Sequence, residues 1–199
     1  RLAKGTAGQV LKMNTGATAP EYGDAGGGAF TVLGSTNVTT SVADVTFSNF
    51  VNNSLYDTYM IEFSGVNGVS GGGDLFFNQY AGSWNTSGYK IHVNRLSDSS
   101  TTYASIASQG ENGWIVGRNL QESTGYGCSG RIYFHNLGSS TIYTVVTWQC
   151  FGKEQNGTWV LFNGGGASNL TSAATQLNVQ DNTGNIDTGK FTLFGIKNS

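Results

Sequence analysis

The chain has 199 residues and a mass of 21.0 kDa, enough for one domain with a hydrophobic core. Its net charge of −2, without a basic run, excludes a surface that tracks phosphates, so we expect no nucleic acid partner. No apolar run approaches the ~20 residues that cross a bilayer, and no signal peptide is visible, so we expect no membrane insertion.

Residues 1–29 are rich in small residues and hold the only proline, Pro20. Because such a segment cannot bury itself, we predict an extended neck that lies on a neighbouring subunit or on a preceding part of a parent chain. The chain begins at Arg1 rather than at methionine, and we expect a piece of a longer protein. The predicted apolar anchors of the neck are Leu2, Val10, Leu11, Met13 and Tyr22.

The stretch at residues 55–66, LYDTYMIEFSGV, alternates apolar and polar side chains, which predicts a strand with one buried face. The pattern recurs along residues 30–199 with Gly, Asn and Ser between the copies, and no helical pattern interrupts it. The sequence therefore predicts an all-β domain, an antiparallel two-sheet sandwich of jelly-roll type. The predicted strands lie near residues 30–33, 43–50, 57–66, 74–80, 88–95, 102–107, 113–118, 130–137, 142–151, 158–163, 175–180 and 190–197. Predicted turns include residues 85–88, 112–113, 138–140, 156–157, 164–166 and 182–184.

The strand pattern at residues 142–151, IYTVVTWQCF, is apolar on both faces. Trp148 belongs to one face and Tyr143, Val145 and Phe151 to the other. A strand of a two-layer sandwich normally keeps one face in water, so this strand requires a second cover. We expect a symmetry-related subunit to supply it.

Three stretches of the sequence are similar to parts of tailed-bacteriophage fibres. Residues 2–24, LAKGTAGQVLKMNTGATAPEYGD, resemble a segment found just before the C-terminal domain of fibres and other virion proteins. Residues 55–66 and 185–198 resemble elements of fibre-end domains, although Phe194 stands where their last strand often has tyrosine. The resemblance implies the C-terminal receptor-binding part of a tail fibre.

A fibre of this kind would be a homotrimer, assembled in the host cytoplasm and located in the virion. Its partners would be other virion proteins and a host cell-surface receptor such as a glycan. One alternative is a capsid decoration protein or another structural virion protein. A second alternative is a polysaccharide-degrading tailspike domain.

The tailspike alternative would need paired carboxylates beside a sugar groove. Glu111 and Glu122 flank Trp114, and Asp57 and Asp74 lie near aromatic strands. Acidic residues scattered along a chain come this close by chance, and a fold alone does not establish an activity. We therefore expect no enzyme and assign no catalytic residue.

Two further patterns are typical of cofactor or metal sites. Residues 125–130, GYGCSG, match the dinucleotide motif G-x-G-x-x-G, but a strand pattern follows where that motif needs a helix. His92 and His135 lie in strand patterns without metal-ligand spacing. We predict a turn at residues 125–130, two ordinary sheet histidines, no metal and no cofactor.

Large rings in Gly/Ser/Asn-rich surroundings are typical of recognition surfaces, although such rings also plug the ends of sandwich cores. On this basis we predict that Trp84, Tyr89 and Tyr126 bind the receptor. The loops expected to carry recognition are residues 50–54, 68–73, 81–88, 97–102, 110–113 and 120–130.

The two cysteines offer a test of strand pairing. A hairpin of residues 131–137 and 141–151 around the turn at 138–140 would place Cys128 opposite Cys150 and Gly130 opposite Trp148. That geometry permits a disulfide, but we expect thiols in a reducing cytoplasm.

Overall fold

The computed structural model describes residues 4–6, 9–24, 29–68, 72–99, 104–121 and 125–197. These residues form fourteen β-strands and contain no helix. The first seven strands are β1 (Gln9–Met13), β2 (Pro20–Asp24), β3 (Phe30–Val38), β4 (Asp44–Ser48), β5 (Tyr56–Gly68), β6 (Gly73–Tyr80) and β7 (Tyr89–Ser97). The others are β8 (Ala104–Glu111), β9 (Trp114–Leu120), β10 (Cys128–His135), β11 (Val145–Lys153), β12 (Trp159–Ala167), β13 (Gln176–Asp181) and β14 (Ile186–Lys197).

The strands form three antiparallel sheets. The largest sheet has eight strands in the order β3-β14-β5-β10-β11-β12-β7-β8, and the second has four in the order β4-β13-β6-β9. Strands β1 and β2 pair with each other as a separate hairpin. The prediction of an all-β, antiparallel sandwich is therefore confirmed, and each strand predicted between residues 30 and 197 overlaps an observed one.

The core lies between the eight-stranded and four-stranded sheets because each contributes an apolar face. In β5 the predicted alternation is confirmed, since Tyr59, Ile61 and Phe63 are buried and Glu62 is exposed. The ring of Phe63 contacts Phe77 of the opposite sheet at a centroid distance of 5.8 Å. The same pattern that predicts the strand therefore builds the interface between the two sheets.

The glycine triplet at residues 164–166 lies inside β12, so the predicted turn is wrong. Two tryptophan rings and two carbonyl oxygens of the neighbouring strand β7 explain why glycine is needed in this strand. A Cβ at Gly164 would collide with the Trp148 ring and would lie 2.8 Å from the His92 carbonyl oxygen. A Cβ at Gly166 would collide with the Lys90 carbonyl oxygen and would lie 3.0 Å from the Trp114 ring. Here the glycines make room for large rings and do not end the strand.

The predicted hairpin of β10 and β11 exists, but its register differs by two residues. Gly130 pairs with Cys150 and Ile132 with Trp148. The connection spans residues 136–144 and is longer than a tight turn because Leu137 is buried in the core. A shift of two residues keeps every side chain on its expected face and changes only the cross-strand partners.

Cys128 and Cys150 lie on these neighbouring strands and are both buried free thiols. They contact each other diagonally, since Cys128 packs against Gly152 and Cys150 lies opposite Gly130. Hydrogen bonding with Cys128, together with burial, raises the pKa of the Cys150 thiol well above its usual range. Both cysteines are therefore thiols in this structure, in agreement with the prediction.

The described part of the neck differs from the single extended stretch that we predicted. Residues 9–24 fold back as the β1–β2 hairpin, closed by a turn in which the Ala17 N–H donates to the Asn14 carbonyl oxygen. The proposed anchors Val10, Leu11, Met13 and Tyr22 are all exposed. Leu2 and residues 25–28 lie outside the described residues.

The motif at residues 125–130 contains a turn followed by a strand, as predicted. Gly125 has a φ of +97°, and Cys128 opens β10 where a dinucleotide site would need a helix.

Candidate functional site

The eight-stranded sheet has a second face, directed away from the four-stranded sheet, which we call the open face. Strand pairing aligns its outward side chains in rows that cross the sheet. One of these, the polar row, contributes one hydrogen-bonding residue from each of the eight strands. From β3 across to β8 it consists of Ser35, Thr192, Glu62, Arg131, Gln149, Asn163, Asn94 and Ser105.

The centre of the polar row is not committed to interactions within the protein. Among the described residues, the side chains of Glu62, Arg131 and Gln149 form no hydrogen bond or ion pair, and all three are exposed. Glu62 and Arg131 are neighbours in register yet do not pair. A carboxylate, a guanidinium and an amide are therefore free to bind a polar ligand.

Beside the polar row lies an aromatic platform, formed by Phe151, Trp159 and Tyr126. The rings of Phe151 and Trp159 are stacked in parallel, with a centroid distance of 5.4 Å and an interplanar angle of 3°. Tyr126 meets Trp159 edge-on at 6.2 Å. The three residues are 50%, 36% and 37% exposed, so their ring surfaces are accessible.

Lys153 holds the platform together and gives it a positive charge. Its Nζ lies 3.7 Å from the centre of the Tyr126 ring and 5.8 Å from that of Trp159. Both distances are within the range of a cation–π interaction. The platform therefore combines flat apolar surface with a cation.

A groove of about 440 Å³ joins the platform to the polar row. Its walls combine polar groups of Glu62, Arg131 and Gln149 with apolar surface of Phe151 and Leu161. The polar side chains can fix the orientation of a ligand while the apolar ones contribute buried area.

A partly buried ion pair fixes the β11–β12 turn that carries the platform. The Arg95 Nε donates to Glu154 Oε1 at 2.6 Å, and a second contact joins Arg95 Nη2 to Glu154 Oε2. The hydrogen bonds that Arg95 donates to Glu154 raise the pKa of Arg95. The turn also bonds to β9, because the Gln155 N–H donates to the Asn119 carbonyl oxygen at 2.8 Å.

Tyr89 belongs to the core, so its predicted role as an exposed receptor contact is wrong. It is 0% exposed, and its ring meets Trp114 edge-on at 4.6 Å. Its hydroxyl oxygen accepts a hydrogen bond from the Gln79 N–H at 2.9 Å. Burial raises the pKa of Tyr89 to about 12. The segment before Tyr89 is polar, so the sequence pattern did not reveal that Tyr89 is the first residue of β7 and lies on its buried face.

Trp84 and Tyr126, the other two predicted receptor residues, lie at opposite ends of the sandwich. Trp84 is half-buried in the connection before β7, and its ring meets Tyr80 at 5.1 Å. Tyr126 belongs to the platform beyond the far end of β7. The structure therefore brings Tyr126, but not Trp84, to the groove. Parts of the predicted loops, at residues 69–71, 100–102 and 122–124, lie outside the described residues.

Asp74 and Glu111, two of the carboxylates considered for a polysaccharide-degrading tailspike, do not lie beside a sugar-binding groove. Trp114 is 0% exposed and cannot stack on a sugar, and Glu122 lies outside the described residues. Asp74 and Glu111 line a small pocket of about 60 Å³, where Glu111 pairs with Arg118 at 3.6 Å. Burial raises the pKa of Asp74, partly opposed by a hydrogen bond from the Asn119 N–H.

No group of three or more His, Cys, Asp or Glu side chains in the described ranges could hold a metal ion. His92 and His135 lie in β7 and β10, as predicted, and bond to Ser105 and Thr58. Within the same ranges, no helix has the length and apolar character to cross a membrane.

Sequence reasoning did not select Phe151, Trp159, Glu62 or Arg131 as site residues. The two-faced apolar pattern of residues 142–151 already marked Phe151 as an unusual outward side chain. Nothing in the local sequence of the other three indicates that they meet, because strand pairing over long sequence separations brings them together.

Comparison with known proteins gives no relative: no protein-family model, no curated protein and no solved structure matches this chain.

Proposed function

We propose that this chain is the C-terminal receptor-binding part of a tailed-bacteriophage fibre or related virion appendage, and that its open face attaches the particle to the host cell. The observation that carries the proposal is the solvent-exposed stack of Phe151 and Trp159 beside uncommitted polar side chains. Exposed, rigid rings next to hydrogen-bonding groups contribute binding area at little cost in entropy. The protein acts by binding, without catalysis or cofactor.

The proposed fold is a jelly roll with additional strands. If β1, β2, β7, β8, β11 and β12 are set aside, the remaining strands have the orders β3-β14-β5-β10 and β4-β13-β6-β9. Each of them lies in the sheet opposite its predecessor, except β9, which pairs with β6. This order supports a jelly-roll topology. The additional strands β11, β12, β7 and β8 extend the larger sheet and carry most of the platform.

The proposed assembly is a homotrimer whose subunits contact one another, and other virion proteins, through the β1–β2 hairpin. Leu11, Met13, Pro20 and Tyr22 share one face of this hairpin, by the register of its strands. Since two-stranded hairpins are marginal alone, such an apolar face gains stability from a partner. Three copies would also present three platforms, so weak single contacts would suffice for attachment.

The test compares a strain that supports the parent phage with a resistant mutant that does not adsorb it. Fluorescently labelled protein is expected to bind only the first strain, measured by flow cytometry. Trp159→Ala should weaken binding at least tenfold, by about 1.4 kcal/mol or more, as expected for a central aromatic contact.

The matched control is Tyr143→Ala, which removes another half-exposed aromatic ring outside the platform. It should leave binding unchanged, and both variants should keep the melting temperature of the parent protein. Equal binding to both strains, combined with binding to phage heads, would instead identify a decoration protein.

A further inference from the structure

Building on the proposed attachment function, we infer that the ligand of the open face is an extended acidic polysaccharide, which crosses the strands along the polar row and stacks on the Phe151–Trp159 platform.

The length of the polar row points to a polymer. Eight strands at a spacing of about 4.8 Å give a row about 34 Å long. The row presents hydroxyl, amide, carboxylate and guanidinium groups without an apolar interruption. A chain of linked sugars offers hydroxyl groups at regular intervals along such a path, whereas a folded protein partner would have to match a wholly polar strip.

The platform supplies the apolar half of sugar recognition. The faces of pyranose rings carry C–H groups that pack on aromatic rings, while their edges carry hydroxyl groups. The groove lies where Phe151 and Leu161 meet Arg131 and Gln149. A sugar seated there would contact apolar surface on one side and hydrogen-bonding groups on the other.

The charge of the open face points to an acidic polymer. Among the described residues, the regularly paired outward positions of the open face carry four cations on a chain whose net charge is −2, and Glu62 is the carboxylate that lines the groove. Asp57 and Asp187 lie at irregular pairings near the ends of the sheet, and Asp98 adds a further carboxylate at the rim beside Trp159. Arg131 is free to form a paired hydrogen bond with a uronic carboxylate or a phosphate. The four cations are Lys90, Arg131, Lys153 and Lys190.

The polar row disfavours a second copy of the chain as the occupant. Any subunit contact on this face would bury the polar row, whereas obligate interfaces are apolar at their centre, and an isologous contact would also bring the cations together. A cell-surface polysaccharide bound to this face would keep its polar groups either hydrated or hydrogen-bonded to the polar row.

The experiment measures binding of the polysaccharide purified from the surface of the adsorbing strain, by biolayer interferometry on the whole chain. A second sample of the same polymer has its carboxyl groups reduced and its phosphates removed. We expect binding to the native polymer that weakens with added NaCl, and a loss of at least tenfold with the neutral polymer.

Three variants sharpen this test. Arg131→Ala and Trp159→Ala should each weaken binding, while Lys12→Ala, which removes a cation from the β1–β2 hairpin, should not. Glu62→Gln should strengthen binding by about two- to fivefold, because it removes a repulsive carboxylate from the groove. If the site bound neutral sugars instead, Glu62→Gln would weaken binding, since the carboxylate accepts hydrogen bonds from sugar hydroxyl groups.

Equal binding to native and neutral polymers would overturn the inference. So would loss of the oligomer with Trp159→Ala in light scattering, because the open face would then be a subunit interface. If labelled protein binds cells but not the polysaccharide, the acidic-glycan inference fails while the attachment function stands. If it binds no cells of the adsorbing strain, the proposed function itself fails.

Discussion

At the scale of single residues, burial decides what each polar or aromatic side chain does. Tyr89 and Trp159 are both rings beside polar segments, yet Tyr89 packs against Trp114 in the core and Trp159 is exposed to solvent. Among carboxylates, Glu62 is exposed on the open face, while Asp74 is half-buried near Glu111 and Asp181. Asp74 therefore offers a test of the electrostatics of the fold.

The pKa of Asp74 is raised above its usual value, chiefly by burial. The folded state therefore binds the proton more tightly than the unfolded state, and stability falls as the pH rises from the ordinary carboxyl pKa through the raised one. Asp74→Asn should raise the melting temperature at pH 7, where the wild-type carboxylate is charged. The gain should vanish below a pH of about 4, where both side chains are neutral.

Melting curves recorded across this pH range check the prediction, with Asp44→Asn, at an exposed position of strand β4, as the control. The control should change stability little at any pH. A lower melting temperature of Asp74→Asn at pH 7 would mean that the ionised carboxylate stabilises the fold.

At the scale of elements, β12 shows how glycine serves a strand interior. Its inward positions at Gly164 and Gly166 face the rings of Trp148 and Trp114, so the strand stays continuous where it has no side chains. The outward side of the same strand carries Trp159 and Asn163 of the open face. Packing beneath the strand therefore supports the site above it.

Gly164→Ala should destabilise the protein by about 1–3 kcal/mol, because the added methyl group collides with the Trp148 ring and the His92 carbonyl. Gly165→Ala is the matched control, since its nearest neighbour, the Val146 carbonyl oxygen, lies 3.3 Å away. Urea denaturation measures both free energies of unfolding. Equal effects of the two substitutions would contradict the packing argument.

At the scale of the whole molecule, the β1–β2 hairpin and the sandwich differ in how they treat their apolar side chains. The sandwich buries its core between two sheets of its own, whereas the hairpin exposes Leu11, Met13 and Tyr22 by 58%, 53% and 41%. This division fits a molecule in which one part assembles and another part binds.

Deletion of residues 1–24 should convert the proposed trimer into monomers while the sandwich remains folded, because the apolar hairpin face would no longer join subunits. Light scattering gives the mass, and circular dichroism with thermal melting checks the fold. Avidity would be lost with the trimer, so cell binding should fall by about 10²-fold or more. A deletion variant that keeps the trimer would place the subunit contact on the sandwich instead.

The sequence alone determined the fold class, the strand positions and the face on which most strand side chains lie. Alternation is a local property, and it is read from a few neighbouring residues, as in the buried Tyr59, Ile61 and Phe63 of β5. The polar turns at residues 112–113 and 156–157 were predictable for the same reason.

Only the tertiary structure decided which strands pair, in which register, and which rings are exposed. The two-residue shift between β10 and β11 preserves every face, so alternation could not detect it. Tyr89 became a core residue because β9 brings Trp114 against it. The groove exists because pairing from β5 to β12 aligns Glu62 and Arg131 with Phe151 and its neighbours, and such long-range pairing depends on the packing of the whole sandwich.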